Sequence, residues 1–216
     1  MSKDFTELFD EWSERYDETV AGGDEEYREV FDGYDRILEE VASRVSGTVL
    51  EFGVGTGNLT EKLLRRGCAV YGIEPSKGMR EQALKRQFDM VLAAGDFLRF
   101  PLVPEKIDAV ASTYAFHHLT DEEKEEAIAI YSGLLGAGGK LVFADTMFEG
   151  EEERREIEEA ARAAGHVKLL NDLRTEYYTT LNVLEGILVR HGFEVSFYKL
   201  NRYVWLMDAT KASEEG

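Results

Sequence analysis

Apolar positions recur along this chain with two different periods. Phe5, Leu8, Phe9, Trp12 and Tyr16 are spaced by threes and fours and predict one amphipathic helix. After the turn at residues 21–24, the series Tyr27, Val30, Phe31, Tyr34, Ile37, Leu38 and Val41 predicts a second, longer helix with Asp24 as its N-cap. From about residue 47 the pattern changes to short runs rich in Val and Ile that stop at Gly or Pro: TVLEFGVG, CAVYGIEP, IDAVASTYAF and KLVFADTMF, with FDMVLAAGD as a weaker fifth. Near-continuous apolar runs of this length fit strands buried on both faces, as in a parallel sheet.

Helical segments separate these runs. Asn58 with Glu61 resembles a capping box, and Thr120 with Glu123 forms a second. Alternation of strand and helix from about 47 to 148 predicts a doubly wound α/β sheet. Two further helical stretches follow, EEERREIEEAARAAG and roughly 172–190. The runs FEVSFYKL and YVWLMDATK then come with a break too short for a parallel crossover, so they are expected to pair antiparallel or to insert side by side.

Composition narrows the function classes. The 44% apolar share of 216 residues suffices for a substantial core, and the charged residues are interleaved rather than blocked, which argues against extended disorder. Forty-three acidic residues against 25 basic ones leave a formal charge of −18. That balance disfavours a phosphate backbone or an anionic membrane as partner. The small basic group Lys62, Arg65 and Arg66 reads as a solvated helix face. A single Cys68 excludes an intrachain disulfide. With no apolar leader and no apolar stretch of spanning length, a cytoplasmic protein is expected.

The chemistry concentrates in VLEFGVGTGN. A strand ends at Phe52, glycines follow at 53, 55 and 57, and a helix opens near Asn58. Glycine tolerates positive φ and lets a ligand approach the backbone, so this unit makes a shelf at the carboxyl edge of the sheet. The spacing is G-x-G-x-G rather than the dinucleotide pattern G-x-G-x-x-G, with Asn58 at the place of the last glycine. Glu74 ends the second strand 21 residues after Gly53, where a carboxylate accepts hydrogen bonds from both hydroxyls of an adenosine ribose. Pro75 breaks that strand and Ser76 is placed to cap the next helix. After the third strand, Asp96 is placed to accept from an adenine amine and Phe97 to pack on the base.

VLEFGVGTGN, GIEPS, GDFLRF, ASTYAFHHLTD and the paired terminal strands resemble class I S-adenosylmethionine (SAM)-dependent methyltransferases, over about residues 45–210. The N-terminal pattern FxxxFDEWSERYDETVAGGDEEYREVF resembles one subgroup, the methyltransferases of Bacillus-type bacteria linked to methionine-to-cysteine sulfur recycling. The resemblance implies a Rossmann-like, doubly wound seven-stranded sheet with its last strand antiparallel. It implies an N-terminal helical cap over residues 1–45, and a methyltransferase domain over 46–216 with a helical insertion at about 149–191. It places Gly53, Gly55 and Gly57 under the cofactor, Glu74 on the ribose, and Asp96 with Phe97 on the adenine. Glu51 takes the acidic position that helps hold the ligand's ammonium group, and Tyr16 and Tyr114 belong beside the cofactor.

His117 and His118 are candidate bases. A His-His-Leu run in this place looks common to methyltransferases with very different acceptors, so loop packing or ligand positioning is preferred. Asp145, ending the fifth strand on the same edge, is a candidate substrate contact or a turn cap. No metal is expected, because two histidines lack a second ligand cluster. Trp12, Tyr16, Tyr27, Tyr177 and Tyr178 are expected in a lid, with Trp12 rather serving to pack its helix onto the sheet. The expected acceptor is a small molecule. The rivals are a non-catalytic SAM-binding module and a nicotinamide-dependent oxidoreductase.

Overall fold

Seven strands form one sheet in the order β3-β2-β1-β4-β5-β7-β6. The computed structural model describes residues 16–213. The strands are β1 (Thr48–Phe52), β2 (Ala69–Ile73), β3 (Val91–Ala93), β4 (Ala109–Thr113), β5 (Lys140–Thr146), β6 (Phe193–Lys199) and β7 (Val204–Lys211). The first five are parallel to one another. β7 runs antiparallel to both neighbours and sits between β5 and β6, so the strand-strand ending is an insertion as well as a hairpin.

Helices cover both faces: α1 (Tyr34–Ala42), α2 (Asn58–Arg65), α3 (Lys77–Lys85), α4 (Asp121–Leu134), α5 (Glu151–Ala164), α6 (Val167–Thr175) and α7 (Leu181–Arg190). Alternation along β1 assigns its side chains to the two layers. Val49 packs with Leu38, Leu59 and Leu63 under α1 and α2, whereas Leu50 and Phe52 join Ile128, Tyr131 and Leu188 under α4 and α7. Among the described residues, no helix is long and apolar enough to cross a membrane.

Three local expectations need correction. Asp24 accepts from the Glu26 N–H at 3.1 Å, but it caps only the 3-10 turn Glu25–Tyr27. The helix proper starts after Gly33, whose φ of +72° interrupts the backbone, although the apolar series continues across the break. At the expected Asn58–Glu61 box the N-cap is Gly57 and Asn58 is already helical. Its side-chain amide instead donates to Asp17 at 3.0 Å and to the Tyr34 hydroxyl at 3.3 Å. The stretch 172–190 is two helices, broken where Thr180 bridges to Phe148. The box at Thr120 and Glu123 forms reciprocally as the sequence predicts. Positions Phe5, Leu8, Phe9 and Trp12 lie outside the described residues.

Candidate functional site

The strand order reverses between β1 and β4, and the carboxyl ends of the strands splay there into a crevice, the usual place for a ligand in an open α/β sheet. A cavity of about 540 Å³ occupies it. Its walls bring together Tyr16, Gly53, Gly55, Glu74, Asp96, Phe97, Tyr114 and His118, residues separated by up to a hundred positions in the chain.

The floor is the turn after β1. Gly53, Gly55 and Gly57 all have positive φ, at +68°, +57° and +91°. Their roles nevertheless differ. A Cβ on Gly53 would lie 2.7 Å from the Ala115 Cβ, and one on Gly57 would lie 2.8 Å from the Phe88 ring, so these two permit close packing within the protein. A Cβ on Gly55 would meet nothing within 4 Å, and Gly55 lines the cavity. Gly57 does not reach the cavity wall, because it sits at the start of α2 against Phe88.

Glu74 is buried, and its carboxylate is built into that floor. One oxygen accepts from the Gly55 N–H at 2.9 Å and the other from the Ser76 N–H at 2.8 Å. Ser76 in turn caps α3, accepting from the Met79 N–H at 3.1 Å, which turns Met79 into the same cavity. Asp96 accepts from the N–H groups of Leu98 and Arg99 at 2.9 and 2.8 Å, so its turn is self-held. Phe97 is buried against Phe52, with ring centroids 5.1 Å apart in a stacked arrangement, and presents only part of itself to the cavity.

The other rim is aromatic. Tyr114 has a φ of +52°, unusual for a residue with a side chain, and packs against Phe31 and Tyr34. Tyr16 bonds to Tyr34 and completes the wall. Asp17, beside it, accepts from the Thr56 hydroxyl at 2.7 Å, so the N-terminal segment is tied directly to the glycine turn.

Glu51 lies behind the cavity rather than on it. Strand alternation turns it away from the Phe52 side and toward α2, where it accepts from the Thr60 hydroxyl at 2.6 Å. Its other oxygen is buried and, among the described residues, has no hydrogen-bond partner. Burial pushes this carboxyl up to about 8.

His117 and Asp145 are joined away from the main cavity. His117 Nδ1 lies 2.6 Å from Asp145 Oδ1, and the His117 N–H donates to Oδ2 at 3.0 Å. Burial disfavours the charged imidazole, but the Asp145 charge and hydrogen bond outweigh it and hold His117 above its ordinary value. Burial likewise opposes ionisation of Asp145. The His117 charge, with N–H donors from Thr146 and His117, overcomes this and holds the carboxyl below the usual range. The pair borders a smaller cavity of about 180 Å³ with Lys124, Tyr177 and Tyr178.

His118, by contrast, faces the main cavity, with Nδ1 3.1 Å from Glu176. His117, His118 and Glu176 carry donor atoms within 4.8 Å of one another, and the hydrogen bonds to Asp145 and Glu176 account for their arrangement. The turn carrying Glu176 is anchored by the Tyr177 N–H, which donates to the His117 carbonyl at 3.0 Å, and by Lys124, which donates to the Tyr177 carbonyl at 2.6 Å. Tyr27 donates to Asp172 at the end of α6, outside the main cavity.

Sequence reasoning missed Asp17, Met79, Thr113, Ala115 and Glu176. Met79 was within reach, since a Ser76 cap fixes the next turn; Asp17 and Glu176 meet their partners only through tertiary folding.

Residues 49–139 match the family described as "Methyltransferase domain". An uncharacterized methyltransferase of Geobacillus thermodenitrificans is 58% identical over 212 residues, spanning 98% of this chain and 99% of its own length. One from Bacillus cereus is 53% identical over 214 residues, spanning 98% of this chain and all of its own length. Among solved structures, a DhpI–SAH complex superposes with a TM-score of 0.69 at 17% identity, covering 96% of this chain and 95% of that one. A magnesium protoporphyrin IX methyltransferase from Synechocystis with bound SAM does so with a TM-score of 0.63 at 16% identity, covering 87% and 84%. The structural likenesses bear on the fold, while the near full-length identity to the Geobacillus and Bacillus proteins bears on kinship: the chain belongs to this methyltransferase family.

Proposed function

We propose that the chain is a SAM-dependent methyltransferase acting on a small-molecule acceptor. The observation that carries the reading is Glu74, whose carboxylate sits on the cavity wall while hydrogen-bonded to Gly55. An adenosyl ligand fits these residues. Gly55 leaves open space where any side chain would intrude, Glu74 offers carboxylate lone pairs to ribose hydroxyls, and Asp96 with Phe97 borders the place of a base. Tyr16 and Tyr114 would close the opposite rim. When bound, SAM supplies a methyl group already activated by its sulfonium charge.

The protein's own contribution is alignment and exclusion of water, which is worth up to about 7–11 kcal/mol in a well-oriented reaction. A net charge of −18 sets the surface against polyanions, which supports a small acceptor over nucleic acid. The reading extends to the Bacillus-type subgroup linked to sulfur recycling, whose N-terminal pattern this chain resembles.

Calorimetric titration with S-adenosylhomocysteine (SAH) and with NAD tests the cofactor. SAH is expected to bind at least about a hundredfold more tightly, a gap of about 2.7 kcal/mol; the reverse order returns the oxidoreductase reading. Incubating a metabolite extract with enzyme and methyl-labelled SAM, followed by mass spectrometry, tests turnover. Binding with no labelled product would leave a SAM-binding module.

A further inference from the structure

We propose that His118 is the general base of the acceptor half of the site, with Glu176 as its positioning residue, and that the acceptor is therefore a protic nucleophile, an O–H, S–H or neutral N–H group that must shed a proton as it is methylated. The inference rests on the methyltransferase reading and adds to it the chemical class of the acceptor.

The topology divides the cavity. Glu74 and Asp96 come from the ends of β2 and β3, and the glycine turn follows β1, so the adenosyl-binding groups lie on one side of the switch point. His118 comes from the turn after β4, on the other side, and lines the same cavity. It is the histidine among the residues lining that cavity. A buried imidazole whose Nδ1 faces a carboxylate at 3.1 Å is held as the Nδ1–H tautomer, which makes Nε2 the basic atom.

The neighbours set its charge. Glu176 attracts a proton to the ring, and Asp145 adds to this from β5. Burial and the adjacent His117, whose charged form Asp145 favours, act the other way and prevail, leaving His118 below its ordinary value. Lys124 of α4 completes the set by anchoring the turn that carries Glu176. The two histidines thus differ: Asp145 favours the charged form of one in a closed pair, and burial favours the neutral form of the other on the cavity wall.

The step balances. A lone pair of the acceptor heteroatom forms the new bond to carbon as the carbon–sulfur bond of the sulfonium donor breaks, its electrons remaining on sulfur. The acceptor's proton moves to His118 Nε2, the imidazolium is stabilised by Glu176, and the proton passes to water once the product leaves.

The test uses the full chain labelled with nitrogen-15 in its histidine rings and saturated with SAH. Near neutral pH, NMR is expected to show His118 neutral with its proton on Nδ1 and His117 doubly protonated. Glu176→Gln is expected to disturb the His118 tautomer while leaving the His117 signals and SAH affinity unchanged. A His118 protonated on Nε2, or one indifferent to Glu176→Gln, overturns the proposal. With the acceptor identified from the labelled-extract experiment, His118→Asn should lower kcat at least about 100-fold, the lower end of the range for a general base, with SAH affinity retained. Methylation of an atom that carries no proton, or unchanged turnover in that variant, also overturns it. Failure of SAH to bind the parent chain would instead defeat the cofactor reading.

Discussion

The Glu74 carboxylate accepts a hydrogen bond from the Gly55 N–H at 2.9 Å, so the tip of β2 and the turn after β1 form one rigid unit rather than two adjacent ones. Glu74→Gln preserves shape but gives one acceptor oxygen where two N–H donors now point. Hydrogen bonds to charged groups are worth about 1.5–3 kcal/mol, so SAH affinity should fall roughly 10- to 100-fold with the circular-dichroism spectrum unchanged. An affinity within about threefold of the parent, a change of less than 1 kcal/mol, would remove Glu74 from the ligand site.

Two glycines in the same turn should respond differently to alanine. Both carry positive φ, which costs an ordinary residue about 1–2 kcal/mol. Gly55→Ala adds only that strain and should lower Tm by a few degrees, while its methyl projects into the cavity and weakens SAH binding. Gly53→Ala also drives a Cβ to 2.7 Å from the Ala115 Cβ, neither of which can rotate aside, and should cost more stability. Equal Tm losses in scanning calorimetry would contradict this division.

Glu51 should make stability decline with rising pH. Its folded pKa of about 8 exceeds the ordinary glutamate value, so between roughly pH 4.5 and 8 the folded state binds more protons than the unfolded one. Stability from this group is full below that window and is lost through it. Glu51→Gln keeps the acceptor for Thr60 and abolishes the slope, so the variant should match the parent at pH 5 and melt higher at pH 8. Parallel Tm curves across this range would show that Glu51 does not carry the proton.

The His117–Asp145 pair works in a different window. His117 is raised, so its contribution is present below its ordinary value and is lost as pH rises through the folded one; Asp145 is lowered, so its contribution is lost only in strong acid. His117→Asn should therefore cost most in the mildly acidic range and progressively less toward pH 9, measured by Tm against pH. A constant difference would mean that the pair is held by packing alone.

What the sequence made legible was local or rule-bound. The glycine turn, the Glu74 spacing, the Thr120 box and the antiparallel ending each follow from a few neighbouring residues. The break at Gly33 is hidden because Tyr27, Phe31 and Tyr34 keep a helical spacing while the backbone between them breaks; the rings of Phe31 and Tyr34 are gathered by Tyr114 rather than by one helix. The side to which Glu51 points was readable in principle, since it shares parity with Val49 and opposes Phe52. The Glu176 turn was not, because what holds it is Lys124, fifty positions away in sequence and in another helix.

The place of β7 has a consequence for how the molecule is assembled. Residues 204–211 are threaded between β5 and β6, so Asp145 on β5 is backed by Trp205, a residue synthesised sixty positions later. Until that segment emerges from the ribosome, β5 is paired on its β4 side alone, whereas the glycine turn and Glu74 already lie within finished βα units. Nascent chains should thus complete the glycine turn and Glu74 before β5 gains its second neighbour, and clipping the carboxyl-terminal segment should remove an interior stave of the sheet rather than trim its margin.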